Sequence, residues 1–375
     1  MRNKQFILIA AVAIVTASCA HSFEAKETQQ PAIGFGTWAE TLTKARTSGA
    51  TNTSFENGDI FDVYGIKTVS SGNKVVFNGD NVIATVDGST VTWDYAPHRF
   101  WDPAASSYTF YAALPADQLA AEASTDLYAT TGQFTSNDIT FNDPTAFSND
   151  VLVGKQVVSG AGAAAPYSYS GPVNIQFHHV ASCVDLKVKQ DNALGDAVVK
   201  VTALSLLNIS NTGHYAVTAY AADPYSPTVS WTEASSPTTL GTAGVYTVAG
   251  SYPVTVGGKT TYSSHAASST TGTPVDLFTG YVFMPQDLSS GNQKIKISYT
   301  IQVGTEEPNV YTDVLIDLKD FQQTDTDNNS GTAITSWAPK THYIYCLTIG
   351  ANVITFTATV NDWSETVNGY RYLLQ

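Results

Sequence analysis

The chain has 375 residues with a formal charge of −14 at neutral pH, and only 13% of its residues are charged. A surface this acidic repels phosphate backbones, so the composition argues against a nucleic-acid-binding protein. Three cysteines cannot build the disulfide scaffold of a small secreted protein, and the length is sufficient for two hydrophobic cores.

The first residues have the pattern of a secretion signal. Arg2 and Lys4 precede an apolar run, residues 6–15, that is shorter than the roughly 20 residues needed to span a bilayer. Three small residues then lead to Cys19, an arrangement that resembles a bacterial lipobox. We expect export, removal of residues 1–18 as a signal peptide, and acylation of Cys19 by chains such as palmitate, which would anchor the protein. The alternative is an ordinary signal peptide in which this cysteine is incidental.

The remainder of the chain favours β-strands. It contains 20 Tyr and 16 Phe, and turn-forming pairs such as Asn57–Gly58 and Asn368–Gly369 recur at short intervals. Only the Ala-rich segment 117–127 is predicted as a short helix. Many short strands joined by tight turns are typical of β-sandwiches, so we predict an all-β fold.

Three segments alternate between apolar and polar residues, as a strand with one buried face does. In 174–189 the apolar phase changes at His178–His179, which predicts a β-bulge. Residues 295–301 and 354–360 alternate without a break. A polar cluster at residues 190–195 interrupts the strands, and we place a domain boundary there.

The sequence offers little support for a disulfide or for catalysis. We favour two isolated thiols at Cys183 and Cys346 over a bond between them. His178 and His179 are neighbours in a strand, so their side chains point to opposite faces and cannot share a metal ion. No nucleophile elbow, zinc-protease motif or phosphate-binding loop is present. We therefore expect no enzyme and no cofactor.

One loop invites comparison with a calcium site. Residues 325–331 are rich in Asp and Asn, but Ser330 stands where a calcium loop requires Gly, and Ser336 stands where it requires a bidentate Glu. We interpret the segment as a polar loop and predict no metal site.

Several motifs follow one another in a characteristic order. They are Ile33–Thr37, Phe55–Gly65, Trp93–Pro97, Arg99–Trp101, Tyr108–Ala112, Phe177–Val180, Phe283–Gln286, Trp337–Lys340, Tyr343–Tyr345 and Asn361–Trp363. Taken singly, Trp93, Trp101 and Trp337 are interpreted as core aromatic residues. Together, over almost the whole mature chain, the motifs resemble the fimbrillin family, the subunits of type V pili on Gram-negative anaerobes.

The resemblance implies a particular organisation. A lipidated propeptide, residues 19–46, would precede two tandem transthyretin-like β-sandwiches at 47–190 and 191–375. The precursor would sit on the outer membrane and later join a fimbrium at the cell surface, with a role in cell adhesion. Its partners would be copies of itself, other fimbrial subunits, a trypsin-like protease, and host or bacterial surface ligands.

The resemblance also implies an assembly mechanism. A strand around Ile33 and Phe35 would fill a groove until the protease cuts the next loop, after Arg46 by preference or after Lys44. A neighbour's C-terminal strand would then replace it. The donor face would carry the alternating residues Tyr370, Tyr372 and Leu374, although this tail has an alternative as an ordinary edge strand.

Two other functions compete with this one. A surface adhesin would use exposed loop aromatics, namely Tyr225, Trp231 or Tyr262, to stack on sugars, and could be a pilus tip. A glycan hydrolase is favoured only by the sandwich fold and the compartment. Because the chain has candidates for both a protease site and a donor strand, we favour a shaft subunit.

Overall fold

The computed structural model describes residues 31–38, 55, 57–87, 90–120, 127–141, 150–159, 171–222, 225–234, 245–247, 254–256, 274–323, 331–351 and 354–362. The predicted signal peptide, lipidation site, processing loop and donor strand, and residues 325–330 of the calcium-like loop, lie outside these residues. In the described part, no helix has the length and hydrophobicity needed to cross a bilayer.

Regular structure in the described residues is almost entirely β, which confirms the predicted all-β fold. The strands are β1 (Phe35–Trp38), β2 (Ile60–Val69), β3 (Gly72–Asp87), β4 (Thr90–Asp94), β5 (Ser107–Leu114), β6 (Phe134–Thr135), β7 (Ile139–Thr140), β8 (Leu152–Ser159), β9 (Val173–His179), β10 (Ser182–Gln190), β11 (Val198–Leu207), β12 (Thr212–Tyr220), β13 (Pro227–Glu233), β14 (Val245–Thr247), β15 (Val254–Val256), β16 (Val275–Phe283), β17 (Gln286–Asp287), β18 (Lys294–Gln302), β19 (Asn309–Asp317), β20 (Ser336–Trp337), β21 (Thr341–Ile349) and β22 (Ile354–Asp362). One short helix, α1 (Leu127–Thr131), and two 3-10 turns, Asn192–Leu194 and Leu318–Asp320, complete the described elements.

The earlier strands form a closed ring in the order β1-β4-β3-β2-β5-β8-β9. All neighbours in the ring are antiparallel except β1 and β9, which run parallel. The inside of the ring is filled by a mainly aromatic core whose largest members are Phe35, Phe55, Phe61, Phe77, Trp93, Tyr95, Trp101, Tyr108, Phe110 and Phe177. The rings are packed mostly edge to face, which is a favoured geometry for aromatic pairs.

The later strands form a two-sheet sandwich. One sheet has the order β16-β10-β21-β22, and the other has the order β14-β11-β18-β19, with β15 also paired to β11. In β18 the residues alternate strictly between half-buried and buried, and the buried set is Ile295, Ile297, Tyr299 and Ile301. The predicted alternation of 295–301 is therefore confirmed, and its apolar face packs into the core between the sheets.

A third core joins the ring to the sandwich. A small sheet of β13, β12 and β6, with β7 also paired to β12, contributes Tyr215 and Val217 to it. The ring supplies Tyr64 and Tyr111, and β10 supplies Cys183. The two larger units therefore share a continuous apolar contact.

Two local predictions differ from the structure. Of the segment predicted as a helix, 117–127, the described residues 117–120 are not helical: Asp117 has a left-handed conformation (φ 63°), and Leu119 forms an isolated antiparallel bridge with Ser136. The described helix begins only at Leu127. A residue in the left-handed region does not belong to a right-handed helix, and the Asp117 amide donates instead to the buried Asp62 carboxylate at 2.8 Å.

The phase change at His178–His179 is not a bulge. β9 ends at His179, and the chain passes through the buried Val180 and Ala181 into β10, which belongs to a different sheet. The apolar face changes because the chain leaves the ring and enters the sandwich. Strand pairing thus groups β10 with the strands that follow it, while the division into tandem domains at residue 190 stays a prediction.

The two cysteines of the described residues are free, as predicted, and Cys183 is buried while Cys346 is half-buried. Cys183 lies opposite His342 in the parallel pair of β10 and β21, whereas Cys346 lies opposite Lys187. Four residues of strand therefore separate the thiols, about 13 Å, which is beyond disulfide reach.

Candidate functional site

The candidate site is the seat of β1, the strand that closes the ring. Phe35 pairs with Trp93 of β4 on one side and with Val173 of β9 on the other. The pairing with β9 continues in parallel register to Trp38, opposite Gln176. Removal of this one short strand would open the ring between β4 and β9.

Backbone hydrogen bonds extend the seat beyond the strand itself. The Val173 amide donates to the Gly34 carbonyl at 2.7 Å, and the Ile33 amide donates to the Arg99 carbonyl at 2.8 Å. The Trp101 amide donates to the Pro31 carbonyl at 3.3 Å, so Ala32 and Phe100 face each other as an antiparallel pair. Residues 31–38 are thus paired along most of their length.

Two side chains of this segment enter the aromatic core. Ile33 is 1% exposed and Phe35 is 4% exposed. The centroid of the Phe35 ring lies within 5.3 to 6.0 Å of four others, those of Phe61, Phe77, Tyr95 and Phe110. Burial of a large apolar side chain contributes about 1.5 to 3 kcal/mol, so the two residues supply much of the affinity of the strand for its seat.

A polar clamp holds the same segment. The Tyr95 hydroxyl donates to the Ile33 carbonyl at 2.7 Å and accepts from the Arg99 amide at 3.1 Å. Burial raises the pKa of Tyr95, so the hydroxyl keeps its proton and remains a donor at neutral pH. The Arg99 guanidinium donates to Asp80 at 3.0 Å and to the Val76 carbonyl at 3.2 Å, which fixes the clamp to β3.

The seat also favours a glycine. A Cβ atom at Gly36 would lie 2.5 Å from Asn174 Oδ1 and 3.2 Å from the Pro172 ring, so a larger residue would have to displace the Asn174 side chain for β1 to approach β9 this closely. At Gly34 the nearest atom to such a Cβ would be Pro172 Cα, at 4.0 Å, which is an ordinary contact.

Only some of the predicted site residues lie in the described part of the chain. Ile33 and Phe35, the predicted groove-filling residues, lie together in this seat. Cys19, the basic pair Lys44 and Arg46, and the predicted donor residues Tyr370, Tyr372 and Leu374 lie outside the described residues. Their proposed roles therefore stay predictions.

Sequence reasoning did not assign a role to the clamp residues Tyr95 and Arg99. Both occur in motifs that carry the family resemblance, Trp93–Pro97 and Arg99–Trp101, so the sequence did mark these two positions. What the sequence lacked was the pairing partner, because the segment that they hold lies about sixty residues earlier in the chain.

The two described aromatic residues proposed for sugar stacking are half-buried. Trp231 lies on strand β13 rather than in an exposed loop, and its indole N–H donates to the Val180 carbonyl at 2.6 Å. It packs on Tyr215, so the expectation of an exposed stacking residue is wrong there. Tyr225 is half-buried beneath the Lys155 ammonium, at 5.3 Å, and Tyr262 lies outside the described residues.

The remaining polar and aromatic candidates have structural roles. His179 is buried and lies 3.0 Å from the buried Asp150 carboxylate, whereas the neighbouring His178 is half-exposed. Trp93, Trp101 and Trp337 are all buried, which confirms their interpretation as core residues.

Comparison with known proteins agrees with the order of motifs. The sequence matches a fimbrillin-like family model over residues 43–363, a span that begins after β1. A search of curated proteins gave no significant match.

Among solved structures, a fimbrial protein from Bacteroides vulgatus ATCC 8482 is similar, with 18% identity, a TM-score of 0.48, and coverage of 89% of this chain and 99% of that chain. The tip fimbrial protein Mfa3 from Porphyromonas gingivalis, with C-terminal truncation, has 10% identity, a TM-score of 0.40, and coverage of 82% of this chain and 95% of that chain.

Proposed function

The chain belongs to the fimbrillin-like family, and from this membership we propose that it is a pilus subunit that assembles by strand exchange after proteolysis. As a fimbrillin-like protein it is a structural component of cell-surface fimbriae and not an enzyme. The observation that carries the proposal is the position of β1, whose removal would open a closed ring.

The vacated seat has the properties of an acceptor for another strand. Loss of β1 would leave unpaired backbone groups on β4 and β9 and a slot lined by the aromatic core. Such an edge is a template for β-augmentation, in which main-chain pairing gives affinity and side-chain pockets give specificity. A segment with apolar residues at alternate positions would fill the slot, as Ile33 and Phe35 do.

Proteolysis would supply the release. Cleavage after Arg46 or Lys44 would cut the covalent link between β1 and the ring, so that only pairing and side-chain burial would hold the strand. The same cut would separate the chain from Cys19. A precursor anchored at the outer membrane by an acylated Cys19 would thereby become free to join a fimbrium.

The C-terminal residues are the proposed donor. β22 ends at Asp362, and the segment beyond it carries Tyr370, Tyr372 and Leu374 at the two-residue spacing of Ile33 and Phe35. Twelve residues in an extended conformation reach roughly 40 Å, enough to run along a neighbour's seat. A chain with both a processing loop and a donor is proposed to be a shaft subunit.

Limited trypsin digestion of the purified chain tests the proposal. We expect cleavage within 44–46, followed by a ladder of polymers on a denaturing gel without heating. Replacement of both Lys44 and Arg46 by Ala should abolish the ladder, whereas Lys74→Ala, at another exposed basic residue, should leave it unchanged.

Deletion of residues 364–375 removes the proposed donor and leaves the acceptor unchanged. The shortened chain should be cleaved normally and remain folded, but it should not polymerise. Polymers that form equally well without these residues would refute the assignment of the donor. Polymers that form without cleavage would refute the role of proteolysis.

A further inference from the structure

Three buried side chains with metal-binding atoms converge outside the seat of β1. Cys183 and Asp185 lie two residues apart on β10, and His342 of β21 pairs directly with Cys183 in the parallel register. The thiol sulfur, a carboxylate oxygen and an imidazole nitrogen lie within 4.8 Å of one another. All three residues are at least nine-tenths buried.

We propose that Cys183, Asp185 and His342 form a binding site for a divalent cation of the zinc class. Zinc is bound in proteins by Cys sulfur, His nitrogen and Asp oxygen in tetrahedral geometry. With metal–ligand bonds of about 2.0 to 2.3 Å, neighbouring donor atoms in such a site lie about 3.3 to 3.8 Å apart. The observed spread therefore needs only a small adjustment to enclose an ion.

The histidine and the carboxylate are presented to the same space. His342 Nε2 lies 3.1 Å from Asp185 Oδ2, yet this buried nitrogen has no aligned hydrogen-bond partner among the described residues. A hydrogen bond requires alignment as well as a short distance, so this contact is a close ion pair and not a hydrogen bond. A divalent ion would take the place of the imidazole proton and bind both atoms.

The surroundings support the site in two further ways. The Gly280 amide donates to Asp185 Oδ1 at 2.6 Å, which orients the carboxylate and leaves Oδ2 for the ion. Asn361 of β22 pairs with His342 in the antiparallel register, so its side chain lies on the same face of the sheet as the cluster.

Charge balance favours a divalent ion in this buried position. A thiolate and a carboxylate together carry two negative charges, which a divalent cation neutralises while the imidazole remains uncharged. The His342 side chain is 11% exposed, whereas that of Asp185 is 2% exposed, so His342 marks the path by which an ion would enter.

Metal titration of the purified full-length chain tests the site. Zinc should bind at one equivalent per chain and raise the melting temperature, and EDTA should reverse that shift. Cobalt should give a thiolate-to-metal charge-transfer band in the near ultraviolet. Cys183→Ser should abolish this band, and His342→Gln and Asp185→Asn should each weaken binding at least tenfold.

The other two cysteines provide matched controls. Cys346→Ser and Cys19→Ser should retain the cobalt band and the zinc-dependent melting temperature, because neither residue belongs to the cluster. A wild-type chain that gives no cobalt band and no zinc-dependent shift would overturn the proposal without reference to any variant. Equal zinc content in folded Cys183→Ser and wild-type chains would also overturn it.

Discussion

The Tyr95 hydroxyl lies 2.7 Å from the Ile33 carbonyl oxygen, and this hydrogen bond joins the first strand segment to the turn that follows β4. The same hydroxyl accepts from the Arg99 amide. One buried side chain therefore holds both the strand proposed to leave and the loop that forms its seat.

Removal of this hydroxyl should loosen the seat. We expect Tyr95→Phe to lower the free energy of unfolding by about 1 to 3 kcal/mol, because a buried carbonyl and a buried amide lose their partner. Urea denaturation measures the change. Tyr311→Phe is the control, since its hydroxyl makes only a long, exposed contact of 3.4 Å with the Ala351 carbonyl, and it should cost less than about 0.5 kcal/mol.

Truncation of the main apolar anchor should have a larger effect. Phe35→Ala removes a ring that touches four other aromatic rings, and large-to-small substitutions of this kind cost about 3 to 5 kcal/mol. After cleavage by trypsin, the variant should release its N-terminal fragment faster than the wild-type chain, as measured by size-exclusion chromatography. Phe100→Ala, at a side chain that is 49% exposed, should release the fragment at the wild-type rate.

Two glycines in the same segment give a matched pair. Gly36→Ala should destabilise the chain by about 1 kcal/mol, because the new Cβ forces Asn174 to rotate and presses on Pro172. Gly34→Ala should be tolerated, because its Cβ meets nothing closer than 4.0 Å. Thermal unfolding compares the two variants, and an equal loss of stability would contradict the close approach of β1 to β9.

The buried Asp62 carboxyl should make stability depend on pH. Burial raises the pKa of Asp62 to about 6 from 3.8, so the folded state binds its proton more tightly than the unfolded state. This contribution is full below pH 3.8 and is lost as the pH rises through about 6. At pH 8 the free energy of unfolding of Asp62→Asn should therefore exceed that of the wild-type chain by about 1 kcal/mol. This value is smaller than the full pKa difference would give, because the carboxyl is incompletely desolvated.

Urea denaturation from pH 4 to pH 8 measures this dependence. The difference between Asp62→Asn and the wild-type chain should grow with pH. A difference for Asp62→Asn that does not change with pH would rule out the raised pKa.

The sequence was sufficient for features that depend on local periodicity. The alternation of Ile295, Ile297, Tyr299 and Ile301 identified β18 and its buried face, because strand periodicity is written in adjacent residues. The strand around Ile33 and Phe35, by contrast, was implied by the family resemblance and not by periodicity. Their order with the later motifs also identified the family.

Features that depend on pairing between distant segments could not be predicted. At His178–His179 a change of sheet and a bulge give the same change of apolar phase, and only the partners of β9 and β10 distinguish them. The cluster of Cys183, Asp185 and His342 has no ligand spacing in the sequence, because β21 is next to β10 in the sheet but far from it along the chain.

A reversible lock on β1 tests the central claim most directly. Ala32 and Phe100 face each other at a position flanked by the two backbone hydrogen bonds, where Cα atoms lie about 4.5 Å apart, within the range of a disulfide. The variant Ala32→Cys/Phe100→Cys should, when oxidised, be cleaved by trypsin but form no polymers, and a reductant should restore the ladder. Ala32→Cys alone should polymerise under both conditions. An oxidised double variant that polymerises as fast as the wild-type chain would contradict the departure of β1 from its seat.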